Sequence, residues 1–139
     1  MRRYLAVTEG IPAESAGTIA LPIGRAEDSA IRREIREDGK PSVTHYEVLR
    51  TAGTRALVRL TLGTGRTHQI RVHLSAIGCP VCGDFLYGTE LDTLPGRFAL
   101  HSAFLSLRHP LTDQPLTFES PLPPELAALL DASASASER

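Results

Sequence analysis

Tryptophan is absent from this sequence, lysine occurs once and cysteine twice. No stretch approaches the roughly 20 consecutive apolar residues that a membrane-spanning helix needs. Nor does an apolar stretch follow the basic N-terminus Met1-Arg2-Arg3, as it does in a signal peptide. With 139 residues, of which 42% are hydrophobic and 22% charged, the composition is typical of one globular domain. These features predict a cytoplasmic protein that does not engage a membrane.

An excess of positive charge is also missing. The 15 Lys and Arg residues are opposed by 16 Asp and Glu, giving a formal net charge of -1, whereas nucleic-acid-binding domains usually carry a basic excess. Every cation except Lys40 is arginine. The planar guanidinium suits phosphate because it donates two parallel hydrogen bonds. A GC-rich genome would also favour arginine on an ordinary surface, so the preference leaves both interpretations open.

The two cysteines form one Cys79-Pro80-Val81-Cys82 motif. A structural zinc site needs a second pair of ligands at similar spacing. No second Cys-x-x-Cys occurs, and the other candidate ligands are scattered at His73, His101 and His109. A redox pair would open a helix after a strand, whereas this motif follows a helix-ending glycine. The pattern favours packing over a metal or redox site.

Alternating apolar residues predict several short strands. They fall at residues 2–8, 17–24, 44–50, 56–62, 97–108 and 115–119. The segment 25–40 is dense in both charges and predicts a mobile surface loop with at most one helical turn at 30–36. Together these elements predict an α+β domain over residues 1–130, built on a mainly antiparallel mixed sheet with a few packed helices.

Two segments have helical patterns. The first begins after Thr67, a predicted N-cap, and places Ile70, Leu74 and Ile77 on one buried stripe. Gly78 then occupies the position of a left-handed C-cap. The second begins at Pro123-Pro124 and runs to residue 130. The Ala/Ser-rich tail, residues 131–139, is predicted to be disordered.

The richest cluster of polar residues stands at the start of the first helix, in Gly63-Thr64-Gly65-Arg66-Thr67-His68. A glycine turn that leads into a helix leaves free N–H groups that suit a phosphate or a carboxylate. His68, Arg71 and Ser75 share a helix face away from the buried stripe. His68 and His73 are five residues apart and diverge, which argues against a metal pair. From the residues alone, an anion site and a solvated face both remain open.

The string Thr64-Gly65-Arg66-Thr67-His68-Gln69-Ile70-Arg71-Val72-His73-Leu74 resembles the third signature motif of the RluA-type pseudouridine synthases. The similarity continues through the next loop, the later strand and the first strand of the chain. The matching residues there are Gly78, Pro80, Gly83, Asp84, Tyr87, Gly88, Leu100, His101, Ser102, Leu105, His109 and Pro110, and at the start Tyr4, Ala6, Val7 and Gly10. The resemblance covers residues 2 to about 125.

This resemblance implies a pseudouridine-synthase-like fold and an isomerase that converts uridine in RNA to pseudouridine without a metal or organic cofactor. Tyr4 matches the tyrosine that stacks on the flipped base and is a candidate for removing the proton from C5. Arg71 matches the arginine that pairs with the catalytic aspartate, and Leu100 matches an apolar residue near the base. Arg66 and His68 are candidate ligands of RNA phosphates.

For three other residues we expect structural roles. Asp84 is expected to tie down the loop after the helix, with no chemical role. His101 and His109 are expected to settle strand and turn geometry through hydrogen bonds.

The sequence departs from the family at one point: the Gly-Arg-Leu-Asp string that carries the catalytic aspartate does not occur in it. The aspartates stand elsewhere, at Asp28, Asp38, Asp84, Asp92, Asp113 and Asp131. We therefore expect a partial domain, inactive by itself, that exposes a sheet edge and forms a homodimer or swapped dimer.

Three hypotheses remain open at this point. The chain is a fragment of a working synthase acting on ribosomal or transfer RNA, an RNA-binding relic without activity, or a subunit whose partner supplies the aspartate.

Overall fold

The computed structural model describes residues 2–66 and 68–137 of the chain. In order, its elements are β1 (Arg2–Glu9), β2 (Ala16–Ala20), β3 (Ile23–Arg25), β4 (Arg33–Ile35), β5 (Val43–Ala52), β6 (Arg55–Leu62), α1 (Gln69–Ala76), β7 (Leu100–Arg108), β8 (Pro115–Glu119) and α2 (Pro124–Ser137). Six strands form one sheet in the order β2-β5-β6-β1-β7-β8, and β3 pairs with β4 in a separate hairpin. Within the described residues every strand pairing is antiparallel. The predicted α+β class is confirmed.

The core lies on the central strands β1 and β6. Ala6 stands opposite Val58 in the β1–β6 ladder, and both side chains are fully buried. Leu60, two residues further along β6, is fully buried as well. Side chains alternate across a strand, so these residues share one face. Helix α1 covers that face and adds the buried Ile70 and Leu74 to the same core cluster.

The segment between β2 and β5 differs from its predicted form. The single strand expected at 17–24 is two strands, because the chain breaks at Leu21–Pro22 and β3 leaves the main sheet. The expected loop with a helical turn at 30–36 instead contains β4, which pairs with β3. Arg36 holds the hairpin by ion pairs to Glu27, Glu34 and Asp38. Sequence periodicity missed it because its strands are only three residues long.

Helix α1 is buried on more faces than its predicted stripe. Ile70 and Leu74 are buried as expected, but Ile77 is the C-cap residue and is 37% exposed. The prediction for Ile77 is wrong, because the helix ends one residue earlier. Gly78 has φ 82°, which confirms the left-handed C-cap. The N-cap predicted at Thr67 lies outside the described residues.

Helix α2 continues to Ser137, past the boundary predicted at residue 130. The disordered tail predicted for 131–139 is therefore corrected as far as Ser137, while residues 138–139 lie outside the described part. The cause is tertiary: the Ser133 hydroxyl is buried against the β5–β6 turn and accepts a 3.0 Å hydrogen bond from the Thr54 N–H. No helix of the described residues is long and apolar enough to span a membrane.

Replacing Gly53 by alanine tests this contact between α2 and the β5–β6 turn. Gly53 has φ 60°, and a methyl group there would collide with the Ser133 carbonyl and hydroxyl. Gly96 has φ 66° but open space around it, so Gly96→Ala is the matched control. Both variants bear the left-handed backbone cost of about 1–2 kcal/mol. We expect Gly53→Ala to lose about 1–3 kcal/mol more in urea unfolding, because of the added overpacking. Equal losses would mean that α2 does not pack on this turn.

Candidate active site

Tyr4 is a half-buried residue of the central strand β1. It stands between Leu60 of β6 and Ser102 of β7. One side of the residue borders a cavity of about 490 Å³, whose other walls are Arg2, Leu62 and the loop Gly63–Arg66. We call this space the Tyr4 cavity. The Tyr4 cavity is therefore lined by one aromatic residue and two arginines.

The loop Gly63–Arg66 is held by Gln69 in the first turn of α1. The Gln69 Oε1 accepts hydrogen bonds from the Thr64 hydroxyl at 2.7 Å and from the Arg66 N–H at 3.0 Å. The Gly63 N–H donates to the Val43 carbonyl. Two of the N–H groups that the sequence predicted to be free for an anion are thus bound within the protein. Arg66 also lines the cavity, and its Nε donates to the Pro41 carbonyl.

Gln69 and His73, one helical turn apart, form a buried polar network with Thr44 of β5. Gln69 Nε2 donates to the Thr44 hydroxyl at 2.9 Å, and that hydroxyl lies 2.8 Å from His73 Nδ1. His73 Nε2 lies 2.8 Å from the Leu21 carbonyl, which can only accept, so Nε2 carries the proton. Burial lowers the pKa of His73 and keeps its ring neutral, consistent with this arrangement. The network fixes α1, and with it the loop beside Tyr4, against the sheet.

Arg71 of α1 forms a buried ion pair with Asp84. Its Nε and Nη2 each donate a 2.8 Å hydrogen bond to the two carboxylate oxygens, and the carboxylate is completely buried. Asp84 Oδ1 also accepts from the Leu86 and Tyr87 N–H groups. Burial by itself would raise the pKa of Asp84, but the hydrogen bonds from Arg71 and these N–H groups outweigh it and lower the pKa. Asp84 is therefore ionised and ties down the loop, as predicted.

Aromatic rings complete the surroundings of the Arg71 guanidinium. Its central carbon lies 3.9 Å from the ring centre of Phe98, 5.2 Å from that of Tyr87 and 5.4 Å from that of Phe85. Stacking of this kind holds the planar group in one orientation. Arg71 is therefore fixed in place before any substrate binds.

His68 is the N-cap residue of α1 and has a left-handed backbone, with φ 55°. Its Nδ1 lies 2.7 Å from the Tyr87 hydroxyl, which also accepts a 2.8 Å hydrogen bond from the Arg33 N–H. Burial and the positive charges of Arg71 and Arg33 lower the pKa of His68, so the ring is neutral at neutral pH. A neutral His68 offers a phosphate a hydrogen bond but no charge.

The structure brings the predicted site residues together in two groups. Tyr4 and Arg66 line the same cavity, whereas Arg71 and His68 meet around Tyr87. Leu100, half-buried at the start of β7, pairs with Ala6 and so shares the sheet face of Tyr4. Neither Arg71 nor Leu100 is among the described residues that line the Tyr4 cavity.

Several contacts of the site residues cannot be predicted from the sequence. Asp84 was assigned to the loop but not to Arg71, and Tyr87 and Phe98 were given no role beside that arginine. The only sequence signal was the position of Asp84 and Tyr87 within the family-like string. Sequence periodicity does not predict which residues of a loop will contact the helix that precedes it.

The remaining histidines and the cysteines have structural roles. The His109 ring accepts from the Leu111 and Thr112 N–H groups in a turn, and His101 contacts the Ser120 carbonyl, as predicted. Cys79 and Cys82 are buried free thiols in the core, which confirms the packing interpretation, and burial raises the pKa of both.

Comparison with known proteins identifies the family. A family model described as RNA pseudouridylate synthase matches residues 1–76. The RNA pseudouridine synthase YjbO of Bacillus subtilis is 48% identical over 93% of this chain and 45% of its own length. Ribosomal large subunit pseudouridine synthase D of Nitrosomonas europaea is 46% identical over 94% of this chain and 40% of its own length.

Among solved structures, human RNA pseudouridylate synthase domain containing 1 superposes with a TM-score of 0.77 at 33% identity, over 99% of this chain and 65% of that one. The chain spans less than half the length of these curated relatives. The RluA-type resemblance of the sequence is thereby confirmed, and the chain belongs to the RNA pseudouridylate synthase family.

Proposed function

We propose that this chain forms the base-binding part of an RNA pseudouridine synthase site, which isomerises uridine to pseudouridine in RNA. The observation that carries the proposal is the Tyr4 cavity. An aromatic side chain there suits the flat face of a flipped base. Arg2 and Arg66 lie on its rim, where the phosphates of the strand would pass.

The reaction breaks the bond between N1 of uracil and C1′ of the ribose and forms a bond from C5 to C1′. The proton that leaves C5 must be taken up, and N1 gains one, so that atoms balance. In this proposal Tyr4 stacks on the base, and its oxygen takes the C5 proton as its own hydroxyl proton passes to water. Leu100, on the same sheet face, packs near the base.

Arg71 is the proposed partner of the catalytic aspartate, which in this proposal comes from polypeptide outside these 139 residues. Asp84 uses two of the five N–H donors of the guanidinium, along its Nε–Nη2 edge. The remaining donors are on Nη1 and Nη2, and this terminal edge is the one that a second carboxylate can pair with. Such a fixed cation keeps a carboxylate ionised in a partly dry pocket.

Ribosomal RNA is the substrate we propose, because two of the relatives are named ribosomal large subunit pseudouridine synthase D. Its site of action would then be the cytoplasm. A homodimer or swapped dimer also belongs to the proposal. The edge strand β8 exposes Phe118, and Leu107 of β7 is exposed beside it, so a second copy would cover apolar surface.

The experiment is to map pseudouridines in ribosomal and transfer RNA from cells with the gene intact, deleted and restored. We expect at least one ribosomal pseudouridine to disappear on deletion and to return on restoration. An unchanged map would overturn the enzymatic function. If the protein then still retained RNA on purification, the RNA-binding relic would be the correct description.

The intact mass of the protein from its native cells separates the two enzymatic hypotheses. A mass several kDa above 15.0 kDa would place the aspartate on the same polypeptide. A mass near 15.0 kDa, together with the disappearance of a pseudouridine, would require a partner chain.

A further inference from the structure

A second cavity, of about 430 Å³, lies between the β3–β4 hairpin and the loop before α1. We call it the hairpin cleft. It is lined by Ile23, Gly24, Arg25, Arg33, Asp38, Gly39, Lys40, Gly65 and Arg66. Four of these side chains are cationic and one is acidic. The cleft is therefore a concentration of positive charge on a chain whose net charge is -1.

The one acid that lines the hairpin cleft, Asp38, is paired with Arg36. Both carboxylate oxygens of Asp38 accept hydrogen bonds from Arg36, at 2.7 and 3.2 Å. Arg36 also forms ion pairs with Glu27 and Glu34. In the described part of the chain, none of the four cations that line the cleft has an ion pair within 4 Å.

Arg33, which lines the cleft, has a buried side-chain donor without an acceptor in the described part of the chain. Its Nη1 is buried and has no hydrogen-bond partner among the described residues. A buried donor left unsatisfied is costly, and in native structures an unseen water or ion is one of its explanations. An anion in the adjoining cleft would supply the missing acceptor. The Arg33 backbone is fixed by its bond to the Tyr87 hydroxyl, so the side chain starts from a defined point.

The hairpin cleft adjoins the Tyr4 cavity. Gly65 and Arg66 line both spaces. A strand whose base enters the Tyr4 cavity would thus continue past Arg66 into the cleft. The cleft also depends on glycine: a Cβ at Gly39 would lie 2.6 Å from the Ile23 carbonyl carbon, so glycine lets the two ends of the hairpin approach closely.

We propose that the hairpin cleft is an anion-binding subsite for a phosphodiester of the RNA strand next to the target uridine. Arg33, Lys40 and Arg66 contact the phosphate, and Arg25 lies exposed at the rim. The inference rests on the proposed function, because it takes RNA as the substrate. It assigns to the β3–β4 hairpin a role in holding the strand.

The test is fluorescence anisotropy with an end-labelled single-stranded RNA that contains uridine, using the 139-residue chain. Arg33→Gln and Lys40→Gln remove cations from the cleft. Arg32→Gln is the matched control, because Arg32 is on the same hairpin, pairs with Asp28 and does not line the cleft. We expect each cleft variant to weaken binding about tenfold. The slope of log affinity against log salt should also fall by about 0.7 for each RNA phosphate that the variant no longer neutralises.

The control should bind like the parent chain and keep its salt slope. Equal weakening by Arg32→Gln and the cleft variants would overturn the inference, since general charge would then explain the binding. Lys40 is exposed, so Lys40→Gln keeps the test valid even if Arg33→Gln disturbs folding, which circular dichroism checks.

The experiments can overturn the cleft and the proposed function independently of each other. If Tyr4→Ala loses RNA binding while the cleft variants bind like the parent chain, the cleft is not a binding subsite. The Tyr4 cavity would then still be the place where RNA binds. A parent chain that does not bind the RNA would also overturn the cleft, whereas the proposed function would still be decided by the pseudouridine map of the deletion strain.

Discussion

Replacing Asp84 by asparagine is expected to lower the free energy of unfolding by about 3–5 kcal/mol, as the loss of one partner of a buried ion pair typically does. The amide would leave the Arg71 charge buried at 7% exposure without its carboxylate. It would also turn an N–H donor toward a guanidinium that has only donors. Urea unfolding followed by circular dichroism measures the change.

Asp131→Asn is the matched control, with the same atoms exchanged. Asp131 pairs with Arg50 at 3.3 Å, but both side chains are more than half exposed. Water screens that pair, so the control should lose much less stability than Asp84→Asn. Similar losses in the two variants would show that the Arg71–Asp84 pair does not stabilise the fold, and Arg71 would then lack the fixed position on which the proposed site depends.

Replacing Tyr4 by phenylalanine is expected to reduce the rate of pseudouridine formation by about 10²–10⁴, the usual contribution of a positioned proton acceptor. The ring that stacks on the base is kept, so the affinity for RNA should change little. Single-turnover release of tritium from RNA labelled at C5 of uridine, with the protein as isolated from its native cells, measures the chemical step. The single-turnover rate should fall by the same factor at saturating and at subsaturating RNA.

Tyr46→Phe is the control for this experiment. Tyr46 of β5 stands opposite Leu60 on one side of β6, as Tyr4 of β1 does on the other, and both tyrosines are half-buried. Loss of the Tyr46 hydroxyl should leave the rate unchanged. If Tyr4→Phe reacted as fast as the parent protein, the hydroxyl would have no part in proton transfer. Tyr4 would then act only by stacking.

The family and most of the sheet follow from local patterns in the sequence. The string from Thr64 to Leu74 is contiguous, so it can be recognised without knowing how the chain folds. The alternation of Ala56, Val58 and Leu60 sets which face of β6 is buried, because side chains alternate along a strand. Gly78 ends α1 through a local backbone preference. Each of these signals acts over a few neighbouring residues.

The contacts between distant residues, by contrast, depend on how the whole chain folds. Asp84 reaches Arg71 only because the loop after α1 folds back over the helix. The length of α2 was misjudged because its alanines and serines give little local signal, and Ser133 gains its contact from the distant β5–β6 turn. The sequence predicts a loop in place of the β3–β4 hairpin, again because the local signal is weak. Its strands are too short for periodicity to register, and the contacts that stabilise it come from residues brought together only by the folded chain.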